Sequence, residues 1–320
     1  MKLLLSGGTG FFGKSLLRHW SASAEAELPV LEVCVLSRSP EAFLNSYPEF
    51  KSYKWLSFSE GDVLTPSSLP NEDFTHVLHA ATDSTLGPTL APIDRYTQIV
   101  DGTRNMLDFA VKNKAKRFLL TSSGGVYGPQ PSAMEEMAET YCGMADPLNK
   151  DNTYSVAKRC AEHLCALYQD RHGLETVIAR CFAFVGRDLP LDVHFAIGNF
   201  LRDALTEDEI TVGGDGTAIR SYMDQRDLAI WLNKLLESGQ SGHAYNVGSD
   251  QAITIKDLAY LVRDTLAPQK TVRILGQSHS QNFRNRYVPS IKKVKTELDL
   301  RLEFSLEDSI REAARHALVN

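Results

Sequence analysis

Cysteine is scarce in this chain, and the few cysteines follow no metal-binding pattern. Five occur in 320 residues, with no Cys-x-x-Cys pair and none of the mixed histidine and cysteine spacings typical of a metal centre. Their odd number also argues against the complete disulfide set of a secreted domain. The sequence therefore predicts no bound metal and favours a reducing, cytoplasmic location. The five are Cys34, Cys142, Cys160, Cys165 and Cys181.

An excess of positive charge and a long apolar run are also missing. Lysine and arginine number 34 against 40 aspartates and glutamates, a net charge of −6, so the chain lacks the electrostatic pattern of a nucleic-acid or anionic-membrane binder. The apolar run at residues 3–5 ends too early for a signal peptide, and no run is long enough to span a membrane. With 43% hydrophobic residues, we expect a soluble protein of one large or two coupled domains.

Three glycines spaced three apart follow the first apolar run. Residues 3–13 predict a strand, a tight turn and a helix, the last supported by apolar helical spacing over residues 16–20. Gly7 would permit the turn, Gly10 would let the backbone approach a pyrophosphate, and Gly13 would allow the helix to pack on the strand. Such turns also occur without a ligand, but the position and the helix that follows favour a dinucleotide site.

The end of the second predicted strand, residues 31–36, bears on the choice of cofactor. An acidic side chain there binds the adenosine ribose, whereas an arginine suits a 2′-phosphate. Arg38 is that arginine, with no acidic residue in the segment 37–39, which favours NADP(H) over the alternative, NAD(H). The other interpretation is that Arg38 is a solvent-exposed loop residue that stacks on adenine without discriminating between the two.

The next two predicted strands end in further candidate cofactor residues. Asp62, after the third strand, either accepts a hydrogen bond from the adenine amino group or is an ordinary turn aspartate. The fourth strand, predicted over residues 74–81, ends in small residues that leave room for a ligand. His79 lies in that strand and is expected to be structural, because the sequence offers no acidic partner nearby.

A tyrosine and a lysine four residues apart open a helix after the fifth predicted strand. That strand, residues 117–120, leads into the hydroxyl-rich segment 121–128, at the end of the sheet where open α/β folds bind ligands. Tyr154 and Lys158 project from one helix face, and a nearby ammonium favours ionisation of a phenol, whose ordinary pKa is about 10. Together with Ser123 and the glycine turn, this pair predicts proton transfer.

These motifs together resemble the extended short-chain dehydrogenases/reductases, in particular the branch of nucleotide-sugar epimerases, dehydratases and ketoreductases. The resemblance implies an α/β fold, a Rossmann-type doubly wound parallel sheet with a smaller, interleaved C-terminal substrate domain. It places dinucleotide binding in residues 1–180 plus about 224–247, and nucleotide-sugar binding in about 181–223 plus 250–320. It extends over nearly the whole chain, through GGTGFFG (7–13), GDV (61–63), HAA (79–81), SSGGVYG (122–128), YSVAK (154–158), RCF (180–182), RSYMDQRD (220–227) and YNVGS (245–249).

The same resemblance implies roles for the catalytic and cofactor-binding residues. Tyr154 would exchange the proton, Ser123 would bind the reacting oxygen, and Lys158 would hold the nicotinamide ribose while favouring ionisation of the tyrosine. Phe182 would lie near the nicotinamide. The cofactor-binding residues that it implies are Gly7, Thr9, Gly10, Phe11, Phe12, Gly13, Arg38, Asp62, Val63, Ala80, Ala81, Thr82, Tyr154, Lys158 and Phe182.

Substrate binding and assembly are implied by the resemblance alone. Asn199 is the candidate donor to a nucleotide diphosphate, and Arg220 and Arg286 match arginines that neutralise the diphosphate in relatives. For each arginine the alternative is an ordinary surface residue. Relatives form dimers through the helices that correspond to residues 99–114 and 154–170, so we expect a homodimer.

Two departures from the family pattern narrow the chemistry. Dehydratases of this branch carry an Asp-Glu pair where Gly124 and Gly125 stand, and decarboxylases carry a glutamate at the second position. Glycine cannot move a proton, so dehydration, decarboxylation and 3,5-epimerisation each lose an expected acid or base unless Cys142, Glu135 or Glu136 replaces it. Ile99 stands where many relatives have an asparagine that supports the proton-relay water.

Of the reactions in this family, the one that needs none of these missing acids or bases is hydride transfer at one carbon, normally C4, of a nucleotide-diphosphate sugar. We expect an NADPH-dependent reductase of a nucleotide-linked 4-keto-6-deoxyhexose. The alternative is a C4 epimerase in which NAD stays bound and the keto intermediate rotates before hydride returns. A more distant alternative is a dinucleotide-binding sensor without catalysis, against which the intact Ser123, Tyr154 and Lys158 argue. The family also suggests a role in bacterial polysaccharide synthesis.

Overall fold

Strands and helices alternate in a computed structural model that describes residues 1–24, 32–82, 89–191, 195–276 and 285–317. The strands in these ranges are β1 (Lys2–Ser6), β2 (Glu32–Ser37), β3 (Leu56–Glu60), β4 (His76–His79), β5 (Arg117–Ser123), β6 (Glu175–Cys181), β7 (Phe184–Val185), β8 (Glu209–Val212), β9 (Ile219–Arg220), β10 (Met223–Asp224), β11 (His243–Val247), β12 (Ile253–Thr254), β13 (Thr271–Ile274) and β14 (Arg286–Tyr287). The helices are α1 (Phe11–Ala24), α2 (Pro40–Ser46), α3 (Pro92–Lys112), α4 (Thr153–His172), α5 (Ala196–Thr206), α6 (Gln225–Ser238), α7 (Ile255–Leu266), α8 (Lys292–Leu298) and α9 (Leu306–Ala317).

A seven-stranded sheet carries the N-terminal motifs. Its strand order is β11-β6-β5-β4-β1-β2-β3, and the pairs from β5 to β3 are parallel. β1 lies between β2 and β4. The chain runs from β1 to β2 and β3 on one side, and then crosses to β4 on the other side of β1. Open parallel sheets bind ligands at this point, beyond the carboxyl ends of the strands. Ser6 is in register with both Leu36 and His79, so the ends of β1, β2 and β4 meet at one edge.

Helices cover both faces of this sheet, which explains why inner strands such as β1 and β2 have continuous apolar runs rather than an alternating pattern. On one face, α3 and α4 form a buried cluster with side chains such as Leu4, Val77 and Phe118. On the other face, α1 meets α6, where the Trp20 indole Nε1 donates to Asn233 Oδ1 at 2.8 Å. The predicted doubly wound, parallel α/β fold is confirmed.

The chain divides into two compact units. The first comprises Met1–Val126, Ala145–Arg180 and Ala229–Tyr245, and the second comprises Tyr127–Met144, Cys181–Leu228 and Asn246–Asn320. In the second unit, α5, α7 and α9 surround an apolar core, and β9 lies between β12 and β14 in a small mixed sheet. The cofactor-binding and substrate-binding roles predicted for such parts remain predictions.

Helix α4 is the element that carries the predicted tyrosine and lysine. It begins at Thr153, one residue before Tyr154, and its first turn therefore holds the tyrosine. It ends at Gly173, which adopts a left-handed conformation with φ +68°. Only glycine adopts that conformation without cost, so this residue terminates the helix before β6.

Candidate active site

The glycine turn between β1 and α1 is packed tightly against its surroundings. Gly7 has φ +79°, and the Gly10 amide donates to the Gly7 carbonyl at 3.1 Å. A methyl carbon on Gly7 would lie 2.5 Å from the backbone of Ala80, at the end of β4. One on Gly13 would lie 2.2 Å from Gly8 Cα. These two positions therefore require glycine for the fold itself.

Gly10 differs, because the protein leaves room there. A methyl carbon on Gly10 would approach the Gly7 carbonyl oxygen to 3.5 Å, which is an ordinary van der Waals distance. Its φ is not in the left-handed region either. Neither packing nor backbone conformation requires glycine at this position, so the start of α1 is open to the close approach of a pyrophosphate. The turn thus fits a dinucleotide.

Beneath the turn, Ser6 and His79 join the ends of β1 and β4. Ser6 Oγ and His79 Nδ1 share a buried hydrogen bond of 2.7 Å. Burial, with the nearby Lys158 ammonium, lowers the pKa of His79 to about 3, so the imidazole is neutral at physiological pH. This agrees with the structural role expected from the sequence.

Lys158 is buried, and its ammonium is held by one residue of β5 and one residue of the segment that follows β4. Lys158 Nζ donates to Thr82 Oγ1 and to the Thr121 carbonyl oxygen, both at 2.8 Å. The residue is only 3% exposed. Its Nζ lies 5.9 Å from the ring centroid of Tyr154, so the helical spacing places both on one side of α4. Two of the predicted cofactor residues, Thr82 and Lys158, are thereby in direct contact.

Ser123 is the last residue of β5, and its hydroxyl oxygen accepts a hydrogen bond from the Gly125 amide at 3.0 Å. The two glycines 124 and 125 begin a short 3-10 turn, Gly124–Tyr127, directly after the strand. Because Lys158 binds the carbonyl of Thr121, α4 is fastened to the strand two residues before Ser123. The serine, the tyrosine and the lysine thus stand on β5 and α4 of one unit.

Glu162 is a site residue that sequence reasoning missed. It accepts a hydrogen bond from Ser122 Oγ at 2.6 Å, and Arg180 Nε and Nη2 donate to its carboxylate at 3.0 and 2.7 Å. This is a second attachment of α4 to the strand end that carries Ser123. Glu162 follows Lys158 by four residues, and that spacing was the available signal.

Arg95 is a second residue of the candidate site that the sequence analysis does not predict. Its guanidinium carbon lies 4.6 Å above the ring centroid of Tyr154, in cation–π geometry. Arg95 belongs to the first turns of α3, whereas Tyr154 opens α4, some sixty positions later in the printed sequence. No spacing rule connects these two residues, because the contact depends on how the two helices pack.

The ends of β2 and β3 carry the residues predicted for the adenosine half of the cofactor. Arg38 is exposed just beyond β2, and the Gly61 amide ties β3 to β2 by donating to the Ser37 carbonyl at 2.9 Å. Asp62 Oδ1 accepts from the Leu64 amide at 2.9 Å, the geometry of a turn aspartate. The Val63 carbonyl accepts from Asn105 of α3 at 2.9 Å.

The remaining candidates belong to the second unit. Phe182 packs against Tyr287, with ring centroids 4.6 Å apart. Arg220 pairs with Tyr287 across β9 and β14, and Arg286 pairs with Ile219, so the two arginines lie one residue apart in the register of adjacent strands. Arg286 Nε donates to the Glu135 carbonyl at 2.7 Å.

Asn199 lies in the first turn of α5 and is partly buried. The stretch before it, residues 192–194, falls outside the described residues. The described ranges contain no group of three histidine, cysteine, aspartate or glutamate side chains placed to hold a metal ion. Over the same ranges, every helix is too short or too polar to cross a bilayer.

The fold and the order of its motifs define the class, the extended short-chain dehydrogenases/reductases. The chain belongs to the NAD dependent epimerase/dehydratase family, whose model matches residues 3–248. UDP-glucuronic acid decarboxylase 1 of Arabidopsis thaliana is 28% identical over 310 residues, which cover 97% of this chain and 68% of that protein. The chain is therefore an enzyme of a family that modifies nucleotide sugars.

Two solved structures share the fold over the whole chain. A dTDP-glucose 4,6-dehydratase from Bacillus anthracis in complex with NAD has a TM-score of 0.84 at 19% identity, covering 100% of this chain and 97% of that one. A UDP-glucose 4-epimerase from Thermotoga maritima with UDP-glucose has a TM-score of 0.82 at 20% identity, covering 100% and 99%. At these identities the likeness concerns the fold alone.

Proposed function

We propose that this enzyme transfers hydride at C4 of a nucleotide-diphosphate sugar, and in the first place that it reduces a nucleotide-linked 4-keto-6-deoxyhexose with NADPH. The buried Lys158 ammonium, held by Thr82 and Thr121 beside Tyr154, is the observation that carries this proposal. Burying a cation costs free energy unless it has polar partners, and a buried cation one helical turn from a phenol is typical of a functional site. The function that we assign to Lys158 is to favour proton transfer by the Tyr154 phenol.

The residues divide the reaction among them. A bound reduced nicotinamide supplies the hydride. Tyr154 Oη donates the proton to the oxygen at C4 as that oxygen gains negative charge, and Ser123 Oγ donates a hydrogen bond to the same oxygen. Lys158 would favour ionisation of the phenol and would hold the nicotinamide ribose of a bound dinucleotide. The family resemblance implies that Phe182 would lie near the nicotinamide.

The absence of a side chain at Gly124 and Gly125 favours simple hydride transfer over the other reactions of the family. These positions follow Ser123 directly and form the 3-10 turn at the end of β5. Dehydration and decarboxylation need a carboxylate there, according to the family pattern. The relatives named as decarboxylases are 28% identical, too distant to assign their reaction to this chain.

Two residues at the end of the sheet support different cofactors. Arg38 is exposed beyond β2 and offers a guanidinium to a 2′-phosphate, which favours NADPH. Glu60 of β3 is in register with Ser37 of β2 and would offer a carboxylate to the same ribose. That carboxylate favours NAD, and with it the second candidate function, a C4 epimerase that keeps its cofactor bound.

Substrate recognition is assigned to the second unit. Arg220 and Arg286, one residue apart in the register of β9 and β14, would bind the diphosphate, with Asn199 as a further donor. In this assignment the first unit binds the dinucleotide and the second binds the nucleotide sugar. A homodimer through α3 and α4 completes the proposal.

The first experiment identifies the cofactor. Freshly purified protein is denatured, and any released dinucleotide is identified by ultraviolet absorbance and mass spectrometry. The emptied protein is then titrated with NADPH and NADH. The reductase proposal predicts at least tenfold tighter NADPH binding, about 1.4 kcal/mol. Stoichiometric NAD retained by the protein, without preference for NADPH, would favour the epimerase instead.

The second experiment follows turnover of a nucleotide-linked 4-keto-6-deoxyhexose. A reductase consumes one NADPH per sugar, whereas an epimerase interconverts C4 epimers without net consumption. Tyr154→Phe should lower turnover at least a hundredfold while dinucleotide binding persists. A Tyr154→Phe variant with unchanged turnover would contradict the proposed role of the tyrosine and revive the idea of a non-catalytic dinucleotide sensor.

A further inference from the structure

Helix α3 places a second cation against the ring of Tyr154. The guanidinium carbon of Arg95 lies 4.6 Å from the ring centroid, closer than the Lys158 ammonium at 5.9 Å. The three residues belong to the same compact unit. The phenol is thus approached by one cation from its own helix and by another from the neighbouring helix.

Packing between α3 and α4 holds Arg95 in this position. Ile99, one turn after Arg95, is buried with Ala157 and Ala161 of α4 in a single apolar cluster. On the same side of α3, the Tyr96 hydroxyl donates to Cys160 Sγ at 3.6 Å. The Arg95 guanidinium therefore lies over the ring as a consequence of how two long helices pack, not of a flexible surface contact.

We propose that Arg95 is a positioning residue that favours the ionised form of Tyr154. The inference rests on the proposed role of Tyr154 in proton transfer. A positive charge within 4 to 6 Å stabilises a phenolate relative to a phenol, and a guanidinium over the ring face also fixes the orientation of the ring. A phenol of lower pKa is a stronger proton donor during reduction, and during oxidation a larger fraction of it is present as the phenolate base, so both candidate reactions would benefit.

Apart from Lys158, the neighbouring groups on α4, β4 and β5 described next add no positive charge that would favour ionisation of Tyr154. From α4, Lys158 contributes a charge that is shared with Thr82 and the Thr121 carbonyl. From β4, His79 faces Lys158 and is kept neutral by burial. β5 presents the neutral Thr121 backbone, and Tyr96 and Cys160 are bonded to each other one turn further along. Arg95 and Lys158 are the two cations observed against the Tyr154 ring in the part of the chain that the structure describes, so replacing Arg95 removes one of these contacts.

An NMR titration of the full-length protein tests this directly. Tyrosine labelled at the hydroxyl-bearing ring carbon reports ionisation, and the signal that disappears in Tyr154→Phe identifies residue 154. We expect Arg95→Met to raise the titration midpoint of that signal by about one pH unit and Arg95→Lys to preserve most of the wild-type value. Arg95→Gln repeats the test with a polar side chain should the methionine variant fold poorly.

Arg104→Met provides the matched control. Arg104 is exposed on the same helix and interacts with another tyrosine, Tyr168, so this change removes an equal charge elsewhere on α3. The Tyr154 midpoint should stay at its wild-type value in this variant. An Arg95→Met or Arg95→Gln variant with an unshifted Tyr154 midpoint overturns the inference, as does a shift of the same size in Arg104→Met.

Kinetics separate this inference from the proposed function. With a nucleotide-linked 4-keto-6-deoxyhexose and NADPH, the pH profile of kcat should shift in Arg95→Met by the amount seen in the NMR titration. If Tyr154→Phe retains full turnover, the proposed function fails even where Arg95 shifts the midpoint. If Tyr154→Phe loses turnover and the midpoint ignores Arg95, only the role of Arg95 is refuted.

Discussion

Gly10 and Gly13 lie three residues apart at the start of α1, yet the space around the two glycines differs. A methyl carbon at Gly13 would overlap the backbone of Gly8, at 2.2 Å, whereas one at Gly10 would make an ordinary contact at 3.5 Å. Packing of the chain itself requires glycine at position 13, whereas we propose that glycine at position 10 allows the approach of a ligand. The two alanine variants therefore form a matched pair.

We expect Gly13→Ala to lower the free energy of unfolding by about 3 kcal/mol, because α1 must move away from the turn. Gly10→Ala should leave that free energy within about 1 kcal/mol of the wild type and weaken dinucleotide binding at least tenfold. Urea unfolding and dinucleotide titration of both variants provide the measurements. Wild-type affinity in a folded Gly10→Ala protein would show that no pyrophosphate approaches this turn.

Arg38 and Glu60 allow a second test at the scale of single residues. Because Arg38 is exposed, Arg38→Asp should leave stability almost unchanged while removing a charge-assisted contact to a 2′-phosphate. The ratio of NADPH to NADH affinity should then fall ten- to a hundredfold, and Glu60→Gln should raise it. An unchanged ratio in Arg38→Asp would reduce Arg38 to an ordinary loop arginine.

At the scale of elements, α4 is attached to the end of β5 at two levels. Lys158 binds the Thr121 carbonyl, and one turn later Glu162 binds the Ser122 hydroxyl and the Arg180 guanidinium. These contacts position the helix that carries Tyr154 relative to the strand that carries Ser123. The attachment has a structural cost if one partner is removed, because both members of the Glu162–Arg180 pair are largely buried.

Glu162→Gln should lower the free energy of unfolding by about 3 kcal/mol, since the Arg180 guanidinium then loses its counter-charge. Ser122→Ala, which removes one hydrogen bond, should cost about 1 kcal/mol. Urea unfolding of both single variants and of the double variant gives the coupling energy between the two positions. Purely additive effects would mean that Ser122 and Glu162 do not act together.

The long buried strands were predictable because their signal is local. Apolar runs that end in glycine or small residues located β1, β2 and β4 to within two residues of their observed ends. The helix predicted from Ile99 begins earlier, at Pro92, where proline suits the first turn of a helix. Tyr154 and Lys158 were likewise found by spacing within one helix.

Contacts between distant elements left no such signal. Arg95 reaches Tyr154 only because α3 and α4 pack side by side, and sequence spacing within either helix does not reveal that contact. The strands β7, β9, β10 and β12 have two residues each, too few for any alternation to appear. Whether Arg220 and Arg286 act on one diphosphate is a prediction that rests on resemblance and on their adjacent strands.

At the scale of the whole molecule, two buried groups give stability opposite dependences on pH. Burial lowers the pKa of His79 to about 3, below its unfolded value of about 6.5, so acidification from pH 6.5 towards 3 destabilises the folded state. Burial raises the pKa of Asp227 to about 6, above its unfolded value of 3.8, although the Glu303 and Phe304 amides donate to it. Acidification from pH 6 towards 4 therefore stabilises the folded state at Asp227.

The two contributions should partly cancel between pH 6 and pH 4. Asp227→Asn removes the compensating group, and we expect this variant to lose up to about 3 kcal/mol more than the wild type over that range. His79→Gln should instead reduce the decrease in the free energy of unfolding over the same pH range. Urea unfolding at a series of pH values measures both effects, and parallel curves for the wild type and Asp227→Asn would disprove the contribution of Asp227.

The placement of β1 between β2 and β4 also affects how the chain is made. Ser6 and His79 are 73 residues apart, so the second neighbour of β1 leaves the ribosome well after β1 itself. At about 5 to 20 residues per second, translation separates the two events by roughly 4 to 15 seconds. During that interval the apolar β1 lacks the strand that pairs with its second edge, and an unpaired edge of this kind is prone to pair with other chains.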